Sequence, residues 1–346
     1  MVEPELKRDR VIIRLGTKKW EWTLEPRYWR NTLMWAAILF LLPIPCYFFL
    51  PGIINTMISA NIYAAIAMPL ALMTIGTGRM NFGPQFYIGV GGYTAALLSI
   101  AFGWGPLMTL PFALLTAMIA ALLFSPLVIM ARGLYYVLLT LLLPLVFLEV
   151  TFIYTDIFKG DTGLFGIVPL LNTGNAKINF LLIGYLSTAL MFAYLWIINK
   201  VLKSRYGLIM AAINDDEEVA HSIGVNINKV KIIAFVAAST MVGLIGWFYA
   251  HYFSSFAGIT YLPLTFMLKI LLVLMIGGRA QVFGCVVGGY FIAFLEMLMI
   301  RFMGPIQPLL FPIILLILLF ILPEGLFGLY RKRRYREYLP TIHVRR

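Results

Sequence analysis

Three ionisable residues, Glu149, Lys269 and Glu296, stand inside otherwise apolar runs. An unpaired charge in hydrocarbon costs about 2.5–3.5 kcal/mol on insertion scales, so Lys269 is expected to pair with one or both acids. Such a pair has two readings: a static structural lock, or a gate whose ions separate when a solute passes. A second concentration of charge is Asn214-Asp215-Asp216-Glu217-Glu218, at the centre of the loop 200–231. Asn214 can cap a helix in a variant of the capping box with Glu217, and acids at its start suit the positive end of the helix dipole. The helix is expected to run to about Ile223 and to stop at Gly224, a natural left-handed terminator. Val219 and Ile223, four apart with Ala220 nearby, give it one apolar side opposite an acidic one. That shape suits a groove on a partner. The alternative is a helix lying on its own bundle or at the lipid surface, where concentrated acid is disfavoured by a negative leaflet.

Other chemistry is sparse. No Gly-x-x-x-x-Gly-Lys-Ser/Thr phosphate loop occurs, so this polypeptide is not expected to hydrolyse ATP in that way. The three histidines, His221, His251 and His343, form no zinc motif, and no nucleophile–base arrangement is readable. Cys46 and Cys285 lie in apolar segments without metal-ligand spacing and read as packing residues. No catalytic residue, metal or cofactor is therefore assigned.

The elements that must position these residues follow from composition. With 61% hydrophobic and 12% charged residues and a mean hydropathy of +0.90, the chain is far more apolar than a soluble domain. It reads as an all-α, polytopic bundle of about ten membrane spans. They fall near 33–50, 53–75, 82–102, 107–130, 133–155, 179–199, 231–252, 262–277, 282–300 and 306–328, with tight turns at 51–56 and 302–308. Residues 31–328 then form the membrane domain, preceded by an arm, 1–30, and followed by a basic tail, 329–346. Eight Lys or Arg lie in the first thirty residues, five in the loop 200–231 and seven in the tail, and Arg79, Arg132 and Arg279 fall on the same side. Only Lys159, Lys177 and Arg301 fall on the other, which places both termini and the loop in the cytoplasm. The formal charge of +12 is thus topological and implies no nucleic-acid binding. The first apolar stretch is too long for a cleaved signal and is expected to remain as a span. Trp20, Trp22, Tyr28, Trp29 and Trp35 crowd its entry and fit a helix or arm lying in the interface. Gly284-x-x-x-Gly288 is a close-approach motif for membrane helices, and Gly243 with Gly246 can act likewise. Phe82-Gly83 with Gly91-Gly92-Tyr93 echoes Phe283-Gly284 with Gly288-Gly289-Tyr290, an internal repeat or a coincidence.

Several runs carry a resemblance. Ser204-Arg205-Tyr206-Gly207, Ala212-Ile213-Asn214-Asp215-Asp216-Glu217, Ala220, Gly224-Val225-Asn226, Lys231 and Ala234-Phe235 resemble the loop of LivM-type permeases of branched-chain amino acid ABC importers. Gly91-Gly92-Tyr93-Thr94-Ala95-Ala96 is similar to that family's third span, and Arg132-Gly133-Leu134-Tyr135-Tyr136 to the opening of its fifth. Gly160-Asp161-Thr162-Gly163-Leu164-Phe165-Gly166-Ile167-Val168-Pro169 resembles its external loop. Gly277-Gly278-Arg279 with Gly284 and Gly288, then Leu322-Pro323-Glu324-Gly325-Leu326, resemble its last spans. The likeness covers roughly residues 60–328 and leaves out the first fifty. It implies a permease subunit in a bacterial inner membrane, with a second homologous permease, two ATP-binding-cassette ATPases and an extracytoplasmic solute-binding protein as partners. Asn214, Asp215, Asp216, Glu217, Glu218, Val219, Ala220, Ile223 and Gly224 would then form the coupling helix that docks an ATPase. Gln85, Glu149, Lys269 and Glu296 are the candidates for a translocation path or gate, and Gly91, Gly92, Gly284 and Gly288 for helix packing. The chain departs from the family pattern over Gly76 to Gln85 and at Lys269, where the family often carries an acid. The solute class consequently spans branched-chain amino acids and related amides or organic acids. The reading from another class is a self-sufficient secondary transporter or channel that uses Glu149, Lys269 and Glu296 for coupling.

Overall fold

The computed structural model describes residues 5–7, 10–15, 18–23, 51–131, 133–222, 224–278 and 282–321. The chain divides into two units, Met1–Pro51 and Gly52–Arg346. The first holds a three-stranded antiparallel sheet, β1 (Glu5–Lys7), β2 (Arg10–Leu15) and β3 (Lys18–Thr23), where sequence reasoning expects an interfacial helix or arm. Its cause is alternation: Val11 stands opposite Trp22 and Ile13 opposite Trp20, the aromatic and β-branched cross-strand pairs that favour a pleated ribbon.

The second unit is helical: α1 (Pro51–Thr77), α2 (Pro84–Phe102), α3 (Pro106–Phe124), α4 (Pro126–Met130), α5 (Gly133–Ile153), α6 (Thr155–Phe158), α7 (Ala176–Leu202), α8 (Arg205–Asp215), α9 (Glu217–Ser222), α10 (Ile227–Phe253), α11 (Gly258–Tyr261), α12 (Leu264–Gly277), α13 (Val282–Met303) and α14 (Gln307–Ile321). Among the described residues eight helices are long and apolar enough to cross a membrane, matching the segments expected from 53–75 through 282–300. Helix α14 falls within the tenth expected segment, 306–328, but is not among the eight, and 322–328 and 33–50 lie outside the described residues. Two boundaries differ from expectation. Residues 51–56 are not a turn but the start of α1, with Pro51 at the first helical position, where its missing N–H is an orphan in any case. The segment 107–130 is not one helix: Pro126 follows Ser125 at a break between α3 and α4, because a proline amide has no hydrogen to continue the ladder.

Helix α1 is the core, with Ile58, Ala64, Ile66, Met68 and Met73 fully enclosed. By contrast α3 and α5 turn Leu107, Leu123, Leu134 and Val146 outward, as expected of helices at the lipid boundary. What α3 buries is a row of small residues four apart, Ala113, Ala117 and Ala121. At Gly243 of α10 an added Cβ would collide with Ala117, which shows how closely those two helices approach.

The two ends of the bundle are built differently. At one end β4 (Leu164–Phe165) pairs antiparallel with β5 (Ser255–Phe256). Buried His251 fixes this segment: the Val168 carbonyl, 2.7 Å away, can only accept, so Nδ1 carries the proton, and Nε2 lies 2.7 Å from the Thr109 hydroxyl. The opposite end carries α8 and α9.

Candidate functional site

Helix α9 is short, and each of its ends is closed by a specific device. Asp216 is its cap, with a carboxylate oxygen that accepts from the N–H of Glu218 at 2.8 Å and of Val219 at 3.0 Å. Sequence reasoning assigns that role to Asn214, but Asn214 belongs to the last turn of α8. Its amide instead donates to the Ile75 carbonyl at 3.4 Å, reaching the end of α1. At the C-terminus Gly224 has φ +87°, its N–H donates to the His221 carbonyl, and the Val225 N–H donates to Ala220, a Schellman closure. Ile223 lies outside the described residues.

With its ends fixed, α9 sorts its side chains. Val219 is 58% exposed, and Asp215, Asp216 and Glu218 around it are exposed as well. Ala220 is buried, and Glu217, three residues before it, turns to the same inner side. There Glu217 pairs with Lys231 of α10, and its Oε1 lies 3.5 Å from Arg79 in the turn between α1 and α2. Lys231 and Arg79 are only 2% and 9% exposed. Burial raises the Glu217 pKa, but the hydrogen bond and charge of Lys231 and the charge of Arg79 outweigh it and hold the carboxyl below its ordinary value. A cavity of about 590 Å³ opens beside this cluster, lined by Arg79, Glu217, His221, Asn226 and Lys231. Sequence reasoning counts Arg79 and Lys231 toward topology and misses their pairing. The signal for it is that two cations next to apolar runs require an acid, and the nearby loop supplies several. The turn itself is shaped for contact: Gly78 has φ +67°, and a Cβ there would fall on the Asn214 side-chain oxygen.

The candidate path residues do not converge. Lys269 Nζ lies 2.6 Å from Glu296 Oε1 and 3.2 Å from the Tyr63 hydroxyl, which itself donates to Glu296 Oε2 at 2.9 Å. The ammonium also sits 5.2 Å from the Tyr63 ring centre and 5.4 Å from that of Phe311. Glu149, the other expected partner, is exposed and forms no ion pair among the described residues, because its turn of α5 faces outward. Gln85 lies at the opposite end of the bundle, in the first turn of α2, fully buried and with Oε1 unpartnered among the described residues. Among the described residues the hydroxyls of Tyr87 and Ser239 have no partner within hydrogen-bond geometry either, and both residues line a cavity of about 10 Å³, roughly the room for one water.

The glycine candidates sit at helix crossings. A Cβ at Gly91 would strike the Gly243 carbonyl of α10, and one at Gly92 the Phe256 ring. Gly284 faces Gly277 across the α12–α13 contact, and Gly288 faces the Val273 carbonyl. No group of three or more His, Cys, Asp or Glu that could hold a metal is assembled among the described residues.

The family model described as the branched-chain amino acid transport system / permease component matches residues 52–323. The probable branched-chain amino acid transport permease protein LivH of Methanocaldococcus jannaschii is 22% identical over 272 residues, covering 72% of this chain and 81% of the relative. The high-affinity branched-chain amino acid transport system permease protein LivM of Salmonella typhimurium is 24% identical over 305 residues, covering 81% and 71%. No solved structure matches. The chain belongs to this family of branched-chain amino acid transport permease components.

Proposed function

We propose that this member of the permease family forms half of the translocation path of an ATP-driven importer in a bacterial inner membrane, with α9 as the element that docks an ATPase. Its partners would be a second homologous permease, two ATP-binding-cassette ATPases and an extracytoplasmic solute-binding protein. The solute would be small and polar, a branched-chain amino acid or a related amide or organic acid, in keeping with the systems for which the two relatives are named. The observation that carries the reading is the sorting of α9. An exposed Val219 ringed by Asp215, Asp216 and Glu218 fits an apolar groove with a basic rim, while Glu217 and Ala220 face inward. The satisfied cluster of Lys269, Glu296 and Tyr63 supports a structural lock more than an ion-coupling site.

The test is purification of the complex with a Val219→Asp variant. A carboxylate in an apolar groove should release the ATPases and abolish solute uptake, while the melting temperature of the membrane domain stays unchanged. ATPase retention and uptake at the unsubstituted level would overturn the assignment of α9.

A further inference from the structure

Glu217 is the one acid in the run 214–218 that a docking surface does not use, since it is turned toward the bundle. Through one carboxylate it touches two separate elements of the membrane domain: Lys231, in the second turn of α10, and Arg79, in the turn joining α1 to α2. Arg79 carries the connection further, because its other terminal nitrogen donates to the Ala131 carbonyl at 2.6 Å, at the C-terminal end of α4. The same guanidinium lies 5.7 Å from the Tyr136 ring centre of α5. Among the described residues of α9 the buried one is Ala220. The helix is flanked by short connections, Asp216 on one side and Gly224 to Asn226 on the other. A displaced α9 must therefore pull on Lys231 and Arg79 through Glu217 or break those ion pairs. The Glu217 side chain is 33% exposed and borders the 590 Å³ cavity, so the contact can open without leaving a carboxylate in hydrocarbon.

We propose that Glu217 is the positioning residue through which movement of α9 reaches the membrane helices, drawing α10 by Lys231 and the starts of α2 and α5 by Arg79. It acts as a releasable strut and takes no part in ATPase binding. The inference rests on the importer reading, and the experiment keeps the two separate. The full-length chain, its permease partner, its ATPases and its binding protein are reconstituted in liposomes, and solute uptake and ATP hydrolysis are measured together. If the unsubstituted chain does not retain ATPases, the importer reading fails, and the strut with it. With that control passed, Glu217→Gln should retain ATPases and basal hydrolysis, while solute moved per ATP falls at least tenfold. The exchange Glu217→Lys with Lys231→Glu should recover a measurable part of that ratio. Should Glu217→Gln fail to fold, Lys231→Gln is expected to show the same loss of solute moved per ATP. An unchanged ratio overturns the proposal, as does loss of the ATPases from Glu217→Gln, or a fall in uptake and hydrolysis in equal proportion.

Discussion

Lys269 owes its place in an apolar helix to the groups around it: the Glu296 carboxylate, the Tyr63 hydroxyl and two aromatic rings. Lys269→Met removes the counter-charge and leaves Glu296, among the described residues, with only the Tyr63 hydrogen bond, a loss of about 3 kcal/mol that should show as a lower melting temperature. Adding Glu296→Gln should restore most of that stability, since no charge is then stranded. A double variant that folds and still transports identifies the pair as a lock, and one that folds and assembles without transport identifies a gate. Glu217 makes a prediction of a different kind. Its folded pKa lies below the ordinary value of 4.5, so the stabilisation it contributes is complete above that pH and is lost as pH falls through 4.5 toward the folded value. Amide exchange of α9, corrected for intrinsic rates, should stay level from pH 6 down to 4.5 and accelerate as the pH falls further. The Glu217→Gln protein should show no such step.

At the scale of elements, α9 depends on its closures. Gly224 has φ +87°, and a Cβ there would meet nothing, so Gly224→Ala measures backbone strain alone: about 1 kcal/mol, read as faster amide exchange in α9. That Gly224 terminates this helix is legible in the sequence, because a glycine after a short amphipathic run has few other uses. Which residue caps the other end is not, since Asn214 and Asp216 are equally good caps and the choice turns on how far α8 continues. The Lys269–Glu296 pair is readable because a charge in hydrocarbon needs a partner. The exclusion of Glu149 is not, because α5 is apolar on every side and its sequence does not fix which face turns inward. Arg79 and Glu217 are 138 positions apart, and only the fold brings them together. The strands β2 and β3 do carry a period-two signal, Val11 and Ile13 opposite Trp22 and Trp20, but tryptophans beside a membrane span equally suggest an interface.

For the whole molecule, the charge asymmetry of the sequence and the two unlike ends of the bundle give a single expectation. Helix α10 has 27 residues, a length of about 40 Å at 1.5 Å per residue, which exceeds a hydrocarbon core of about 30 Å. The loop with α8 and α9 joins its first residue, while the segment that contains Lys159 and Val168 is fastened near its last by His251. Those two regions must therefore open to opposite sides of the membrane. The positive-inside rule assigns the α9 side to the cytoplasm, since it carries Arg79, Lys203, Arg205, Lys229 and Lys231. Single cysteines at the exposed positions Lys159 and Glu218 should accordingly react with an impermeant maleimide from opposite faces, Lys159 in intact cells and Glu218 only after the membrane is opened. Cys285 is fully buried and should give little background, and Cys46, outside the described residues, is removed as Cys46→Ser. A reporter fused after Arg346 is expected to be active only in the cytoplasm, the side to which the positive-inside rule assigns the basic tail. Labelling of both positions from one face would refute the packing of α10 as a crossing helix. Labelling with the faces exchanged would leave the bundle intact and reverse its orientation, placing the acidic helix where no cytoplasmic ATPase could reach it.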